Sequence, residues 1–576
     1  MPPGESTAAE PGRDTPGLDA EVLIVGAGPV GCWLAAELCG AGVRVLVIEA
    51  RQDRVEWSRG FVVHPRTLEI FDSRGAAAPM VRTGRRVPSW HFAMGTGHLD
   101  FTALATAFPY VLLQPQARTE ELLEEYVNRC EGSVLRGHRA VDLVQYRDRV
   151  VVQVASDGGD RTLAASFVVG CDGARSAVRQ AAGIGFSGNP DSMVSPSALV
   201  ELADPPPPDQ YMQAREAGLF FAIPLPDGRF VISTVDHAMM NKIDTVWTAE
   251  MVRDSLRRIT GTDYGMGEPE RVSTLGNSAK QAHRYRDHRV LLAGDAAHVH
   301  FPMGGQGMNL GIQDAHNLAW RLAGAVRAER ARPGDPSVDV LLDGYEAERR
   351  PAGERVLEDV RAQMALVAAT GADGFALRSR LQALLSEHTE VNLQYAYRLS
   401  GLDVRYPAAE GDDPRLGVRA PDLVLDSPRY LRAPQPAESD GGEAARTAAA
   451  GTDTTTAGAD EHLDVDPSGP TRLYDLMRTI GPGRFIYLDL RAAPASQGPD
   501  AGSDPPALTL ALRDTVVDVV TVSARSVLGP DWAVRQGWGR AEAVLIRPDG
   551  HVVSVGAEDA AALAALASCY GLKVEA

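Results

Sequence analysis

Three glycines near the N terminus have the spacing of a phosphate-binding turn. The segment "VLIVGAGPVG" places Gly26, Gly28 and Gly31 directly after an apolar strand and at the start of a helix. The first glycine allows a tight turn, the second lets the backbone approach a pyrophosphate, and the third permits close packing of helix on strand. The free N–H groups and the positive dipole end of the helix favour an anion. An ordinary glycine turn is the alternative interpretation of these three residues alone.

A carboxylate follows at the end of the next apolar strand, "VRVLVIEA". Glu49 can accept hydrogen bonds there from the two hydroxyls of a ribose. An acid at this position disfavours a 2′-phosphate, so the unit indicates FAD or NAD rather than NADP. Strand, glycine turn, helix and acid together favour a dinucleotide site over an ordinary turn.

A second segment, "RVLLAGDAAHVHFPMGGQGMNLGIQDAHNLAW", is interpreted as an apolar strand, a loop and a helix. Its loop has no Lys or Arg but concentrates Gly, His and Met. We expect the helix to start at Met308 and Asn309, whose backbone N–H groups can stabilise a negative charge without a cationic side chain. His298 and His300 lack a third ligand, so the spacing favours packing beside a bound group, and we predict no metal.

A third strand–turn–helix, "VVGCDGARSAVR", contains Asp172 and Gly173, which alone could belong to any turn. Together with "LLAGDAAH" and the N-terminal glycine motif, in this order and spacing, "GCDGARSAVR" resembles the single-component FAD-dependent aromatic hydroxylases of the p-hydroxybenzoate hydroxylase type. "RTLEIFDSRG", "QARTEELL" and "APDLVL" are also similar to that family. The resemblance covers nearly the whole chain.

The resemblance implies roles for individual residues. The glycines of the first motif would hold the FAD pyrophosphate, and Glu49 would bind the adenosine ribose. Asp295 would bind the ribityl hydroxyls, and Pro302 would lie at the edge of the flavin that reacts with oxygen. The other residues implied in cofactor binding or in the flavin environment are Arg59, Gln116, Asp172, Gly173, Gly305, Gly307, Met308 and Asn309.

No side chain is assigned as a general base. The residues interpreted instead as pocket walls or surface positions are His237, Tyr211 and Tyr110. Arg175 and Arg179 are expected to brace the turn that holds Asp172 and Gly173 rather than to react. The chemistry implied by the resemblance therefore belongs to the flavin and its backbone environment.

The resemblance implies a monooxygenase that uses NAD(P)H and O2 to hydroxylate an aromatic ring through a flavin C4a-hydroperoxide. NADPH or NADH would dock transiently, because no second strand–GxGxxG–helix unit follows the first. "RGFVVHPRTLEIFDSRG" and the overall length look most like bacterial aromatic-polyketide hydroxylases, and simple phenol hydroxylases come next. Baeyer–Villiger and antibiotic-inactivating monooxygenases, and a non-catalytic flavin-bearing polyketide-binding protein, are further alternatives. A flavin halogenase is disfavoured because the chain has no W-x-W segment.

The sequence predicts an α/β protein with a Rossmann-like FAD-binding domain, an inserted antiparallel-sheet substrate domain and a C-terminal thioredoxin-like domain. Continuous apolar strands that alternate with helices indicate a parallel sheet, whereas "GLFFAIPLPDGRFVISTVD" is typical of an antiparallel hairpin. The predicted parts are a disordered tail at 1–18, the FAD-binding domain at 19–190 and 275–400, the substrate-binding sheet at 191–274, a connector with a low-complexity segment at 401–464, and the thioredoxin-like domain at 465–576.

Composition limits the environment and the partners. A chain of 576 residues is too long for one core, and its net charge of −19 argues against binding nucleic acid or an anionic membrane. The five cysteines form no CxxC or metal-ligand spacing, which indicates a reduced, cytoplasmic chain. Cys569 is alone in the final domain, so a structural or oligomerising role is predicted there, with a homo-oligomer as one possibility. The expected partners are an aromatic polyketide and O2.

Overall fold

The computed structural model describes residues 17–54, 60–95, 97–130, 132–225, 227–408, 412–425, 429–431, 471–490 and shorter pieces between 519 and 569. Arg59, the low-complexity segment at 432–464 and all but two residues of the predicted N-terminal tail lie outside the described residues. The helices of the described part are α1 Pro29–Gly40, α2 Pro65–Asp72, α3 Ala77–Thr83, α4 Gln116–Arg129, α5 Ala177–Ala181, α6 Ala249–Thr260, α7 Gln306–Ala331, α8 Ser337–Ala368, α9 Gly371–Glu387, α10 Thr389–Ser400 and α11 Leu473–Ile480.

A mixed sheet forms the centre of the FAD-binding domain. The strand Ala20–Val25 is buried along its whole length, and α1 packs against this strand and against α7. Its two neighbours in the sheet are parallel to it. In spatial order the strands are Arg286–Asp287, Val290–Leu292, Arg161–Gly170, Ala20–Val25, Val45–Glu49 and Ser133–Arg136. Val150–Ser156 is added antiparallel to Arg161–Gly170, and His138–Gln145 pairs antiparallel with Val150–Ser156.

Three small groups of strands lie outside this sheet. They are the three-stranded sheet Val62–Val63, Val111–Leu113 and Arg85–Val87, the hairpin Ser89–Phe92 and Gly97–Asp100, and the ribbon Phe186–Asn189, Ala279–Ala282 and His298–Val299. The long helices α7 and α8 carry charged side chains along their length. No helix in the described ranges combines the length and apolar character needed to cross a bilayer.

An antiparallel sheet of five strands is inserted into the FAD-binding domain, as the sequence predicts. The strands in spatial order are Met212–Arg215, Gly218–Pro224, Phe230–Asp236, Val194–Val200 and Arg271–Gly276. Helix α6 packs on one face, where Leu256 joins a cluster with Phe220 and Ile232. The opposite face packs toward the FAD-binding domain, where Leu199 and Ile223 cluster with Phe61.

The C-terminal region has the strand arrangement of a thioredoxin fold. In spatial order its sheet contains Arg429–Leu431, Val519–Ser523, Phe485–Asp489, Ala543–Ile546 and Val552–Gly556. The second and third of these strands are parallel, and every other neighbouring pair is antiparallel. A second small sheet holds Thr471–Arg472, Val424–Leu425 and Val527–Leu528. Two strands from the region predicted as a connector therefore pair with strands of the final domain.

Candidate flavin site

The N-terminal glycine turn needs its three glycines for different reasons. Gly26 has a φ of 106°, and a Cβ added there would lie 2.4 Å from the carbonyl oxygen of Cys171. A Cβ on Gly31 would lie 1.9 Å from the carbonyl oxygen of Gly26, so the third glycine lets α1 approach the turn. A Cβ on Gly28 would meet no atom within 4 Å. Gly28 is therefore not required by internal packing, and it borders open space at the N terminus of α1.

The carboxylate of Glu49 lies beside this turn. Its two oxygens accept hydrogen bonds from the backbone N–H groups of Ala27 and Arg51, each at 3.0 Å. Gln116 begins α4, and its side-chain amide donates to Glu120 at 2.8 Å. Burial raises the pKa of Glu120, and the nearby charge of Glu49 adds to this effect. Glu49 and Gln116 therefore border the same polar region.

Asp172 follows the strand Arg161–Gly170 and anchors the next turn. Its Oδ2 accepts hydrogen bonds from the backbone N–H groups of Ala177 and Val178, whereas its Oδ1 is buried without a hydrogen-bond partner among the described residues. Burial raises the pKa of this carboxyl. Gly173 has a φ of 82°, which favours glycine, and nothing lies within 4 Å of an added Cβ. The free Oδ1 makes Asp172 available to a ligand.

Arg179 braces two loops of the site. Its guanidinium donates to the carbonyl oxygens of Ala174 and Ala296, both at 2.9 Å, and stacks on the ring of Phe186. The side chain is buried, whereas Arg175 is exposed. Arg179 thus ties the turn after Asp172 to the loop that contains Asp295.

Asp295 lies in the loop that precedes α7 and faces Gly307. Its side chain is accessible to solvent, yet burial among the surrounding protein raises its pKa. A Cβ added to Gly307 would lie 3.9 Å from both Asp295 Oδ1 and His300 Nε2. Asp295 and His300 therefore border the same space in front of the bare backbone of Gly307.

His300 is a hydrogen-bond acceptor that the sequence did not reveal. Burial lowers its pKa to about 4, so the imidazole is neutral at pH 7. Its Nδ1 lies 2.8 Å from the carbonyl oxygen of Phe301 and must donate to it. Nε2 then carries a free lone pair, and it is buried without a partner in the described part of the chain. A donor hydrogen from a bound ligand would satisfy this nitrogen.

The loop before α7 is held in a left-handed conformation by two glycines. Gly304 and Gly305 have φ values of 67° and 77°. The carbonyl oxygen of Gly304 accepts hydrogen bonds from His64 Nε2 at 2.9 Å and Trp90 Nε1 at 3.2 Å. Pro302 is exposed just before this pair.

Helix α7 starts at Gln306, two residues earlier than the start expected from the sequence. The left-handed pair Gly304 and Gly305 ends the loop, so the helix can begin immediately after it. The first N–H groups of a helix have no acceptor within the helix, so those of Gln306, Gly307 and Met308 can donate to another group. The side chain of Asn309 accepts from His64 N and donates to Val62 O, at 2.8 and 2.9 Å. Asn309 thus anchors the helix start through its side chain.

His298 points into the protein interior. Its Nε2 lies 2.6 Å from Asp314 Oδ2, and both side chains are fully buried. Asp314 lies on the following helix, so this partner of His298 is distant in the sequence. Within the described ranges, no group of three or more His, Cys, Asp or Glu side chains is arranged to hold a metal ion.

Aromatic residues and methionines fill the region between the inserted sheet and the loop 294–305, which is called the flavin loop below. His91 lies between Trp90 and Phe221, with ring centroids at 5.0 and 5.8 Å. Burial lowers the pKa of His91 to about 3, so its imidazole is neutral. The methionines that belong to this cluster or pack against it include Met94, Met193, Met212, Met240 and Met303. Flexible methionines adapt to ligands of different shape.

The three other side chains considered from the sequence have contacts elsewhere. The ring nitrogens of His237 lie 2.9 and 3.1 Å from the carbonyl oxygens of Glu216 and Val367. Tyr211 packs against Phe230 in the cluster on the α6 side of the sheet. Tyr110 packs edge-on against Phe108 and lies under the guanidinium of Arg86. These contacts agree with structural positions rather than with a catalytic base.

Comparison with known proteins identifies both large parts of the chain. Residues 19–360 match the family model of the FAD binding domain, and residues 455–571 match that of the C-terminal domain of aromatic-ring hydroxylases. The fold and these matches define a flavoprotein of the monooxygenase class. Within that class, the chain belongs to the FAD-dependent aromatic-ring hydroxylases, as its motifs predicted.

Individual relatives cover most of the chain. It is 41% identical over 425 residues to the 12-dehydrotetracycline 5-monooxygenase/anhydrotetracycline 6-monooxygenase of Streptomyces rimosus, which covers 70% of this chain and 80% of the relative. It is 38% identical over 412 residues to the rifampicin monooxygenase of Streptomyces venezuelae, with 70% and 83% covered. The solved structure of CabE, an aromatic hydroxylase from angucycline biosynthesis, matches with a TM-score of 0.76 and 34% identity over 96% of this chain and 99% of that one.

Proposed function

We propose that this protein is an FAD-dependent monooxygenase that uses NAD(P)H and O2 to hydroxylate a polycyclic aromatic polyketide. The observation that carries the proposal is the cleft in front of Gly307, bordered by the carboxylate of Asp295 and the free nitrogen of His300. A polyol chain such as ribityl would supply hydroxyl donors to the carboxylate and to His300 Nε2, which has no partner among the described residues. Helix α7 begins at Gln306, next to Gly307 and this cleft.

The cofactor site is proposed to extend from this cleft to the first glycine turn. The open space at Gly28 leaves room for a pyrophosphate at the N terminus of α1, and Glu49 would accept from the adenosine ribose. Asp172 Oδ1 would accept a further donor from the cofactor or the nicotinamide nucleotide. When bound, FAD supplies the activation of O2 after reduction.

The residues of the chain would orient the ring system and keep water away. The N–H groups of Gln306, Gly307 and Met308 would stabilise negative charge on the reduced ring without a cationic side chain. Trp90 and His64 donate to the carbonyl oxygen of Gly304 and thereby fix the glycine loop through protein contacts. Such preorganisation avoids reorganisation during the reaction.

The substrate is proposed to bind between the glycine loop and the inserted sheet. The wall contributed by Phe221, Trp90 and the methionine cluster is apolar and suits a flat ring system. The neutral imidazole of His91 offers a polar contact for a phenol without adding charge. The tetracycline and angucycline hydroxylases among its relatives support the polycyclic class.

An antibiotic-inactivating monooxygenase is the second candidate. The 38% identity to a rifampicin monooxygenase favours it, because the identity is close to that of the tetracycline enzyme. Both candidates insert one oxygen atom and differ in the substrate and in the role of the product. NADPH is proposed as the electron donor, with NADH as the alternative.

Product analysis tests the proposal. The purified protein is incubated with FAD, each nicotinamide nucleotide and a panel of tetracyclic aromatics, angucyclinones, rifamycins and simple phenols. We expect a yellow protein, NAD(P)H oxidation stimulated by a polycyclic compound, and a product that gains one oxygen atom. NMR placement of that oxygen separates ring hydroxylation from Baeyer–Villiger insertion.

Two outcomes contradict the proposal in different ways. A protein that takes up no FAD refutes the cofactor site. Stimulated NAD(P)H oxidation that yields only hydrogen peroxide with every compound favours a flavin-bearing binding protein. Turnover of rifamycins alone selects the second candidate.

A further inference from the structure

A single buried carboxylate holds both ends of the loop that contains Asp295. Asp314 of α7 accepts from the backbone N–H of Gly294 at 3.2 Å and from His298 Nε2 at 2.6 Å. Its other oxygen accepts from Arg349 Nε at 2.8 Å. Burial raises the pKa of Asp314, but the charges of Arg349 and His298 outweigh it and keep this pKa below its ordinary value. The position of the Asp295 loop therefore depends on Asp314 and its partner on α8.

Arg349 is in turn held by a tyrosine from the segment after α10. The guanidinium is fully buried, and its Nη1 donates to the hydroxyl of Tyr406 at 3.3 Å. The ring of Tyr406 packs against His551 in a tilted arrangement with centroids 4.2 Å apart, and the guanidinium of Arg547 lies 4.9 Å from the ring centre. Both of these residues belong to the C-terminal domain. The contacts thus continue from the flavin loop into that domain.

The C-terminal residues form a turn, 547–551, that is inserted into the FAD-binding domain. Arg547, Asp549 and His551 are at most 4% exposed. Arg547 pairs with Glu348, the residue before Arg349 on α8, at 2.6 Å. Asp549 Oδ2 accepts from Nδ2 of Asn317 on α7 at 3.2 Å. The turn therefore contacts both helices that hold the flavin loop.

The motif "RTLEIFDSRG" on the FAD-binding domain contributes the other side of this contact. Arg66 donates to the carbonyl oxygen of Asp549 at 3.0 Å, and Arg74 donates to that of Pro548 at 2.8 Å. Arg66 lies in the first turn of α2 and Arg74 follows the end of this helix, so the motif contacts the turn 547–551 at both ends of α2.

Stability alone does not account for so many buried charges. Desolvation offsets much of the attraction in a buried ion pair, and apolar residues of similar volume often stabilise a fold at least as well. A fully connected polar network instead fixes one geometry, because each buried donor must find its acceptor. The network around Tyr406 is therefore suited to fix the relative positions of α7, α8 and the C-terminal turn.

We propose that the C-terminal domain is a functional part of the flavin site, in which the turn 547–551 positions the Asp295 loop through Tyr406, Arg349 and Asp314. Tyr406 is a positioning residue because it acts through Arg349. This inference rests on the proposed placement of FAD at Asp295.

The test compares two tyrosine hydroxyls in the full-length protein. Tyr406→Phe removes only the hydrogen bond to Arg349. Tyr474→Phe is the matched control, because Tyr474 is also buried and its hydroxyl contacts the carbonyl oxygen of Ala420 and the side chain of Arg419 rather than Arg349. The readouts are the Kd for FAD, the absorption spectrum and reduction potential of bound FAD, and hydrogen–deuterium exchange of the amides at 294–298.

We expect Tyr406→Phe to weaken FAD binding by roughly threefold to tenfold, the effect of one lost hydrogen bond. It should also shift the spectrum or the potential and speed exchange at 294–298, whereas Tyr474→Phe should change none of these. Asp549→Asn, which keeps the shape of the turn, should act in the same direction as Tyr406→Phe. Equal behaviour of the Tyr406 and Tyr474 variants in every readout would overturn the inference. A wild-type protein without FAD affinity would instead refute the proposed function.

Discussion

The variant Gly28→Ala separates an effect on FAD binding from an effect on folding. Its φ of −73° and ψ of −178° are accessible to alanine, and its Cβ would meet no neighbour within 4 Å. Replacing glycine by alanine at a compatible position stabilises a protein by about 0.4–1 kcal/mol through the unfolded state. Gly28→Ala should therefore fold normally, with a melting temperature that rises by at most about 2 °C.

The same methyl group would occupy the space proposed for the FAD pyrophosphate. Losing one hydrogen bond to a charged group costs about 1.5–3 kcal/mol, which corresponds to roughly 10- to 100-fold in affinity. We therefore expect the Kd of Gly28→Ala for FAD to rise by at least about tenfold. Fluorescence quenching of FAD during titration of the cofactor-free protein measures this change.

Two further glycines serve as controls. In Gly31→Ala the new Cβ lies 1.9 Å from a backbone oxygen, so the start of α1 must move, and we expect a loss of roughly 1–3 kcal/mol in the free energy of unfolding. Gly158→Ala lies in an exposed turn and should change neither stability nor FAD affinity appreciably. If Gly28→Ala binds FAD as tightly as the wild type, the pyrophosphate does not lie at this turn.

Three other predictions concern the flavin loop and the substrate wall. Burial raises the pKa of Asp295 in the free protein and ribityl hydroxyls would lower it, so FAD affinity should fall as the pH drops through the pKa of the free protein. When the Kd for FAD is measured across pH, this pH dependence should be weaker in Asp295→Asn. An unchanged pH dependence in that variant would argue against the ribityl contact. Asp314→Asn leaves Arg349 without a buried counter-charge, so we expect the free energy of unfolding, measured by urea denaturation at neutral pH, to fall by about 3–5 kcal/mol. Asp254→Asn removes an exposed ion pair and should lower the same free energy by at most about 1 kcal/mol. Because the pKa of Asp314 is lowered on folding, its contribution is present above the pKa of the unfolded chain and is lost as the pH falls through the folded value; equal losses in the two variants would contradict this role. Phe221→Ala should lower the fraction of NAD(P)H oxidation that yields oxygenated product while FAD content is retained, and unchanged coupling with every polycyclic compound would remove Phe221 from the substrate wall.

The short-range parts of the site were predictable because they depend on local backbone geometry. Gly26 and Gly31 are required by contacts within a few residues or with the neighbouring strand, and such contacts leave a fixed spacing in the sequence. The same locality made the antiparallel insert recognisable, since its hairpin carries its own turn residues. The predicted parallel strands were recognisable as continuous apolar runs.

Contacts between distant segments were not predictable in this way. The hydrogen bond between His298 and Asp314 is not predictable from the sequence, because Asp314 lies on the next helix and belongs to no motif. Arg349 and Tyr406 meet only in the folded chain, and neither position carries a pattern of spacing. The start of α7 was placed two residues late because glycines in a loop and glycines in a first helical turn are alike in sequence. Only the φ angles of Gly304 and Gly305 mark the boundary.

The connections of the inserted sheet to the FAD-binding domain have a consequence for how substrate specificity can change between related chains. The strands that are first and last in the sequence of the insert, Val194–Val200 and Arg271–Gly276, pair with each other, and Val194 lies opposite Gly276. The ribbon Phe186–Asn189 and Ala279–Ala282 continues this pairing toward the FAD-binding domain. The chain therefore enters and leaves the insert at adjacent points, so the whole sheet can be exchanged as a cassette between related chains without moving the strands of the cofactor domain. Recombination at these two points would graft a new substrate wall onto an unchanged oxygen-activating core.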